Sequence, residues 1–203
     1  MTSSSAFTIE ARDPASRARS GTLHTAHGDV QTPAFVPLAT RASVKTLTGD
    51  EVSALGYRMV FGNTYHLMLQ PGSELIAKAG GLHEFMRWDH PIITDSGGFQ
   101  VFSMGHGTVA DEVKGRTPGG RGPGTKREGS IIKIEESGVT FRSYIDGSIE
   151  MLTPERSMKV QAELGSDIAL VFDECTPFNV TREYTAKSTE RTHRWLQRCL
   201  DWH

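Results

Sequence analysis

Short continuous runs of hydrophobic residues alternate along the chain with stretches in which the hydrophobic residues have the spacing of a helix. Four such runs predict strands, over residues 35–38, 58–61, 91–94 and 167–172. Strands of a parallel sheet read as continuous hydrophobic runs because helices cover both faces of the sheet. The pattern therefore predicts an α/β fold built from successive strand–helix units.

Helix signals lie between and after these strands. Thr48 and Glu51, three residues apart, have the spacing of a capping box, in which each side chain bonds the other residue's backbone amide. Three further helices are predicted: one over 74–79 with Ser73 as its N-cap, one over 154–164 with Thr153 as its N-cap and Gly165 at its end, and one from 182 to the end of the chain.

Two segments depart from this alternation. Residues 6–31 contain short strand candidates around the turn His27-Gly28-Asp29, which predicts an N-terminal hairpin. Residues 131–135 and 139–145 predict a small antiparallel insertion that ends near Met151. The alternation of strands and helices continues after each of these segments.

Residues 113–130 form a glycine-rich segment with six glycines and two prolines. Such a segment buries too little hydrophobic surface to join a core, so we expect a loop. Its net charge is +4, which leaves −6 on the rest of the chain. Two interpretations stay open: a solvated linker, which charge runs usually are, and a loop that contacts phosphates.

The composition is that of a globular protein, with 203 residues of which 37% are hydrophobic and 23% charged. No hydrophobic run approaches the roughly 18 residues that a membrane span needs, and the start lacks the layout of a secretory signal, so a cytoplasmic protein is expected. Two cysteines, Cys175 and Cys199, are too few for a disulfide scaffold or a structural zinc site. The net charge of −2 neither suggests nor excludes a nucleic-acid partner.

The number of strand–helix units suits a parallel barrel or a doubly wound sheet. No glycine-rich dinucleotide fingerprint follows the first strand, which favours a (β/α)8 barrel. A closed barrel of this type needs about 250 residues. Residues 194–203 also break off within an amphipathic helix that has no C-cap. We therefore expect a TIM-barrel fold that is incomplete in this chain and carries the hairpin and the insertion.

Polar residues follow three of the predicted strands, where barrel enzymes place their active sites. Asp95 stands at one such strand end, and Gly97 and Gly98 would let backbone amides approach a ligand closely. A turn capped by Asp95 is the other interpretation. Phe99 either stacks on a base or fills the core, and the core is the commoner place for an aromatic side chain.

Asp173 is a second carboxylate at a strand end, and its neighbour Glu174 points to the opposite side if the strand persists. Two carboxylates facing one pocket suggest general acid–base or glycosidic chemistry. Metal binding by His66, Asp95, Asp173 and Cys175 is the rival, but no paired histidines or dense cysteine–histidine cluster supports it, so no metal site is assigned. Cys175 is either a nucleophile or a small buried side chain, and His66 either a base or an interior histidine.

Six segments, VKTLT, GNTYHLMLQPG, DSGGFQVFS, GVTFRSYIDGS, LTPERSM and FDECTPF, resemble successive signature blocks of the bacterial-type tRNA-guanine transglycosylase family. They occur in the family's order, and the likeness runs from about Gly21 to the last residue. Residues 113–130 carry no family motif and look like an added loop. On this resemblance, residues 1–203 are the N-terminal part of a single catalytic barrel.

The resemblance implies a pentosyltransferase that exchanges guanine at the tRNA anticodon wobble position for a 7-deazaguanine, on the route to queuosine. It implies a ping-pong mechanism, in which an aspartate attacks the ribose anomeric carbon and the incoming base displaces the enzyme from the covalent intermediate. The expected partners are tRNA, guanine or a 7-deazaguanine and, in the full-length form, a second copy of the protein.

Residue by residue, the resemblance gives Asp95 the role of proton acceptor and base contact. Asp173 matches the aspartate that reads the hydrogen-bonding edge of the base with two acceptor oxygens. Asn63 would steady the carboxylates nearby. The remaining wall of the pocket would consist of Ser96, Gly97, Gly98, Phe99 and Cys175, with the Phe99 ring stacked on the base.

Parts of the family pattern are absent from the chain. The family's attacking aspartate belongs to its later half, as do a glutamine and a glycine that contact the base. The cysteines and the histidine that hold a structural zinc in the family are missing too. Zinc is therefore expected for full-length members, with ligands outside this chain. We expect the chain to be inactive by itself.

Two alternatives from other classes stay open. A non-catalytic RNA-binding subunit of the same fold would lack the nucleophile, although a subunit with no base to bind has no need for both Asp95 and Asp173. A metal-dependent barrel hydrolase would use His66 together with these two carboxylates on a metal ion.

Overall fold

The computed structural model describes residues 6–105, 131–177 and 180–203. The glycine-rich basic segment 113–130 lies outside the described residues. The described part is a mixed α/β structure with one parallel sheet and two antiparallel sheets.

The parallel sheet is formed from the four runs that the sequence marks as buried strands. Its strands are β4 (Leu38–Ala39), β5 (Val60–Gly62), β6 (Ile92–Thr94) and β10 (Ile168–Ala169). Their order is β10-β6-β5-β4, and every pairing in this sheet is parallel. The predicted strand–helix arrangement with parallel strands is therefore confirmed for these four runs.

All four strands are shorter than predicted, and β4 and β10 have only two residues each. The strand expected over 35–38 begins only at Leu38, and Phe35 lies outside it with 73% of its surface exposed. Pro33 and Pro37 have no amide hydrogen, so this stretch cannot form a regular ladder. The strand expected over 167–172 ends at Ala169. The Leu170 amide still donates to the Thr94 carbonyl of β6 over 3.2 Å, but the Leu170 carbonyl accepts a hydrogen bond from the Gln161 side chain over 2.8 Å.

Seven helices are assigned in the described residues. They are α1 (Gly49–Ala54), α2 (Thr64–Leu69), α3 (Ser73–Lys78), α4 (Gly81–Met86), α5 (Gly98–Gly105), α6 (Pro154–Leu164) and α7 (Arg182–Trp202). The capping box of Thr48 and Glu51 is confirmed, as is the N-cap of α6 by Thr153.

The predicted N-cap at Ser73 is wrong. Ser73 is the first residue of α3, and its N-cap is Gly72, which offers no side chain to the helix. The Ser73 hydroxyl instead donates a hydrogen bond of 2.6 Å to Glu163 of α6. The Ser73 side chain thus bonds a residue of another helix and not a backbone amide of its own helix, as an N-cap would.

The two antiparallel sheets have three strands each. The N-terminal one contains β1 (Phe7–Arg12), β2 (Arg19–Thr25) and β3 (Gly28–Thr32), where the sequence predicts a hairpin. The second contains β7 (Ile131–Glu135), β8 (Gly138–Arg142) and β9 (Ile149–Leu152), at the position of the predicted insertion.

The core has two clusters of buried side chains. One lies between the parallel sheet and its helices and includes Val60, Leu82 and Ile92. The other joins the second antiparallel sheet to α7, where the fully buried Trp195 stacks on Phe172 with ring centroids 4.8 Å apart. None of the helices in the described ranges is long and apolar enough to cross a membrane.

Candidate active site

Polar residues follow β5 and β6 at the point where these two strands lie side by side. Gly62 pairs with Thr94, so Asn63 and Asp95, the next residue of each strand, come together. Asn63 is also the N-cap of α2, because its side-chain oxygen accepts a hydrogen bond from the amide of His66. The helix start therefore fixes the orientation of the Asn63 amide group.

The Asp95 carboxylate is held on both of its oxygens. Nδ2 of Asn63 donates to Oδ2 over 2.7 Å, and the amide of Thr64 donates to Oδ1 over 2.7 Å. The Thr64 hydroxyl donates to the carbonyl of Asp95 over 2.6 Å. Asp95 is 9% exposed, so one short segment after β5 orients a buried carboxylate.

Burial raises the pKa of Asp95 to about 6. Backbone hydrogen bonds from Thr64 and Gly97 oppose this shift, and the nearby charge of Asp173 adds to it. A carboxylate with a pKa near neutrality can both accept and return a proton at the pH of the cell. Asp95 is thus suited to proton transfer as well as to hydrogen bonding.

Asp173 lies beyond the end of β10 and is joined to the segment after β6. The Ser96 hydroxyl donates a hydrogen bond to Oδ1 of Asp173 over 3.1 Å. Gly98 allows this approach, because a Cβ there would lie 2.7 Å from the Asp173 carbonyl oxygen and 2.9 Å from Oδ1. Asp95 and Asp173 therefore belong to one cluster, with Ser96 between them.

Glu174 does not join this cluster, although β10 ends at Ala169 and the strand alternation expected for a longer strand does not reach this residue. Its carboxylate accepts hydrogen bonds from Arg191 over 2.6 Å and from the Tyr184 hydroxyl over 2.7 Å, both on α7. Of the two adjacent carboxylates, Asp173 is the one that contacts Ser96, and Glu174 anchors the C-terminal helix.

The two glycines after Ser96 serve the packing of the protein itself. Gly97 has a φ of +83°, which favours glycine, and a Cβ there would press on Leu152 and Tyr65. The Gly98 amide donates to the Ser96 hydroxyl over 3.2 Å. The expectation that both amides face a ligand is therefore wrong for Gly98, whose donor is already used.

Phe99 lies in the first turn of α5 and is 46% exposed. The interpretation of this aromatic side chain as a core residue is therefore wrong, and its ring is open to a ligand. Cys175 is half-buried, two residues after Asp173. His66 contacts the Tyr144 hydroxyl through Nδ1 at 2.9 Å.

Two residues of the cluster were missed by the sequence analysis. Thr64 donates hydrogen bonds to both the side chain and the carbonyl of Asp95. Its position directly after Asn63, at the end of a strand, is the sequence signal that could have marked Thr64 as a site residue. Ser157 of α6 is fully buried and donates to the Ser96 carbonyl over 2.7 Å. Nothing in the sequence around Ser157 distinguishes it from an ordinary helix residue.

The segments that build this cluster are the ones that carry the family resemblance. A family model described as queuine tRNA-ribosyltransferase matches residues 13–203. The chain belongs to the queuine tRNA-ribosyltransferase family. Its motifs DSGGFQ and FDECTPF supply Asp95 and Asp173, respectively.

Individual members of the queuine tRNA-ribosyltransferase family are similar to almost the whole chain. The queuine tRNA-ribosyltransferase of Roseiflexus sp. (strain RS-1) is 56% identical over 199 residues, which are 98% of this chain and 48% of the relative. Those of Pelotomaculum thermopropionicum and Protochlamydia amoebophila are each 50% identical, over 97% of this chain and 47% and 49% of the relative. The chain spans about half the length of the curated relatives it matches.

Proposed function

We propose that this chain supplies the base-binding half of a tRNA-guanine transglycosylase, built as part of a (β/α)8 barrel. The parallel sheet of β4, β5, β6 and β10 supports this, since the Asp95–Asp173 cluster lies at the carboxyl ends of its strands. Residues 1–203 would then be the N-terminal part of one catalytic barrel, with the sheets β1–β3 and β7–β9 added to it.

In this proposal the base lies against the cluster. Asp173 reads the hydrogen-bonding edge of the base with the oxygens of its carboxylate, and Asp95 contacts the base and takes up a proton. Asn63 steadies Asp95 over 2.7 Å. Phe99 stacks on the base, which its exposed ring allows. The remaining wall consists of Ser96, Gly97, Gly98 and Cys175.

The proposed reaction is an exchange at one glycosidic bond. An aspartate attacks the ribose anomeric carbon at the wobble position of tRNA, the bond to guanine breaks, and guanine leaves with its electron pair and takes up a proton. The incoming 7-deazaguanine loses a proton and displaces the aspartate from the sugar. The resemblance places the attacking aspartate in the later half of the family, so the exchange is an activity of the full-length protein and the isolated chain is expected to be inactive.

The partners in the proposal are tRNA and the free base, in a cytoplasmic homodimer of the full-length protein. The structural zinc of the family does not fit the cysteines of this chain. Cys199 is buried, and its Sγ contacts the Phe172 amide at 3.4 Å and the Pro154 carbonyl at 3.8 Å.

The observation that carries the proposal is the buried Asp95 carboxylate, which Asn63 and Thr64 hold on both oxygens and which Ser96 links to Asp173. Burial, which raises the pKa of Asp95 to about 6, supports it. The test is incorporation of labelled guanine into tRNA by the full-length protein that contains this chain. Label should enter tRNAs with guanine at the wobble position and not tRNAs with another base there. Tight tRNA binding without incorporation would indicate a non-catalytic RNA-binding subunit and overturn the proposal.

A further inference from the structure

Three side chains from distant parts of the sequence meet at the opposite end of the parallel sheet. His27 lies in the turn between β2 and β3, His83 lies in α4, and Asp167 directly precedes β10. Oδ2 of Asp167 accepts a hydrogen bond from the amide of Ile92, the first residue of β6. Because Asp95 follows the last residue of the same strand, this group lies one strand length from the proposed base pocket.

The distances within the group suit a metal ion. Nδ1 of His27 lies 2.8 Å from Oδ1 of Asp167, and Nε2 of His83 lies 3.2 Å from Oδ2. One ligand atom from each residue can be chosen so that all three lie within 4.8 Å of one another. Tetrahedral zinc with bonds of about 2.0–2.1 Å places its ligand atoms about 3.3 Å apart, so small side-chain rotations bring this set to coordination distance.

One nitrogen of the group has no hydrogen-bond partner in the described residues. Nε2 of His83 is buried and unpaired, although Oδ2 of Asp167 lies 3.2 Å away. A buried nitrogen without a partner is costly, and a metal ion would satisfy it. The imidazole rings of His27 and His83 are stacked, with centroids 3.5 Å apart, so both reach the same carboxylate from one side.

We propose that His27, His83 and Asp167 form a zinc site that joins the β2–β3 turn to α4 and to the parallel sheet. Two imidazoles and one carboxylate favour zinc and similar transition metals over magnesium or calcium, which prefer oxygen ligands alone. His27 is 42% exposed at its side chain, so a fourth position can be filled by water. The site lies at the amino ends of the strands and is structural, since chemistry in such sheets lies at the carboxyl ends.

The test is titration of the 203-residue chain with Co²⁺, whose visible absorption reports four-coordinate binding. His27→Gln and His83→Gln each remove one ligand. His24→Gln is the matched control, because His24 forms a similar pair with Asp29, at 2.8 Å on the same sheet, without a third ligand. The expected result is one Co²⁺ per chain, displaced by Zn²⁺, with affinity at least about 100-fold weaker in both ligand variants and unchanged in His24→Gln.

Zn²⁺ should also raise the melting temperature of the wild-type chain and of His24→Gln, but of neither ligand variant. Absence of the Co²⁺ band in the wild-type chain, equal binding by the ligand variants, or equal loss in His24→Gln would overturn the proposal. If His83→Gln does not fold, His27→Gln decides, since His27 lies in an exposed turn. Metal binding and melting temperature are measured without guanine exchange. The zinc-site proposal can therefore be overturned while the proposed function is supported, and the proposed function can be overturned while the zinc site is supported.

Discussion

The Ser96 hydroxyl donates a hydrogen bond to Oδ1 of Asp173, which lies 77 positions later in the chain. The same hydroxyl accepts a hydrogen bond from the Gly98 amide, so its direction is fixed. The bond joins the segments that follow β6 and β10, two neighbouring strands of the parallel sheet. The relative position of Asp95 and Asp173 is therefore set before any ligand arrives, and their roles can be tested separately.

Asp95→Asn in the full-length protein should lower the turnover of guanine exchange by about 10²–10⁴-fold, because the variant removes a proton acceptor. The affinity for the free base should change less than turnover. Exposed Asp89, changed to Asn in the same way, is the control and should leave both quantities unchanged. If Asp95→Asn loses base affinity alone at full saturated turnover, its proton-transfer role is wrong.

The pH dependence of exchange should report the ionisation of Asp95. Its pKa is raised from the ordinary 3.8 to about 6, mainly by burial. The proton acceptor must be ionised, so kcat/KM should be constant above pH 6 and fall about tenfold per pH unit below it. A profile that stays flat down to pH 5 would contradict this assignment, as would retention of the acidic limb in Asp95→Asn.

Asp173→Asn should weaken binding of the base more than it slows turnover. The variant replaces an acceptor oxygen with a donor that faces the N–H groups of the base, a mismatch of about 1–3 kcal/mol or roughly 5- to 150-fold in Kd. Binding of guanine, measured by calorimetry with Asp89→Asn alongside, checks this. Unchanged affinity would show that Asp173 does not contact the base.

Arg198 should stabilise the C-terminal helix more than its neighbour Arg194 does. Arg198 forms two hydrogen bonds to Glu155, of 2.6 and 2.7 Å, and also donates to the carbonyls of Glu136 and Ser137. Within the described residues, the side-chain hydrogen bonds of Arg194 go to the exposed Glu136 alone. Arg198→Gln should lower the free energy of unfolding by about 1–2 kcal/mol, and Arg194→Gln by less than about 0.5 kcal/mol.

The hydrogen bond from Arg198 lowers the pKa of Glu155 from 4.5 to about 2. The stabilisation is therefore fully present above pH 4.5 and is lost as the pH falls through 2. Glu155 is 41% exposed at its side chain, so solvent screens part of this effect. Denaturation by urea at pH 7 and at pH 3 should show a smaller difference between wild type and Arg198→Gln at the lower pH, and an equal difference would exclude Glu155 as the partner that matters.

Deletion of residues 114–127 from the full-length protein should weaken tRNA binding and reduce its salt dependence. The segment 113–130 has a net charge of +4, and fewer neutralised phosphates release fewer counterions. Binding measured at several salt concentrations gives the slope. An unchanged slope would indicate that the segment is a solvated linker.

The parallel strands and the main cluster could be predicted because their signals are local. A hydrophobic run followed by a polar residue marks both β6 with Asp95 and β5 with Asn63. Thr48 and Glu51 each bond the other's backbone amide within one helix turn. Both partners of this capping box can therefore be recognised from the local sequence.

Contacts between distant residues left no such signal. Gln161 bonds the hydroxyl of Thr94, 67 positions away, and its side-chain amide also donates to the carbonyl of Leu170, just after β10. A glutamine on a helix normally indicates an exposed position, and only the packing of α6 against the sheet buries this one. Ser157, one helix turn earlier, is hidden from sequence reasoning for the same reason.

The contact between His27 and Asp167 joins residues that are 140 positions apart. During synthesis at about 5–20 residues per second, the ribosome takes roughly 7–28 s to reach Asp167 after it has added His27. During that interval the turn of the sheet formed by β1, β2 and β3 can contact His83, but the carboxylate that bonds His27 does not yet exist. The bond that ties the turn of the N-terminal sheet to the start of β10 is therefore among the last contacts of the described residues that synthesis makes possible.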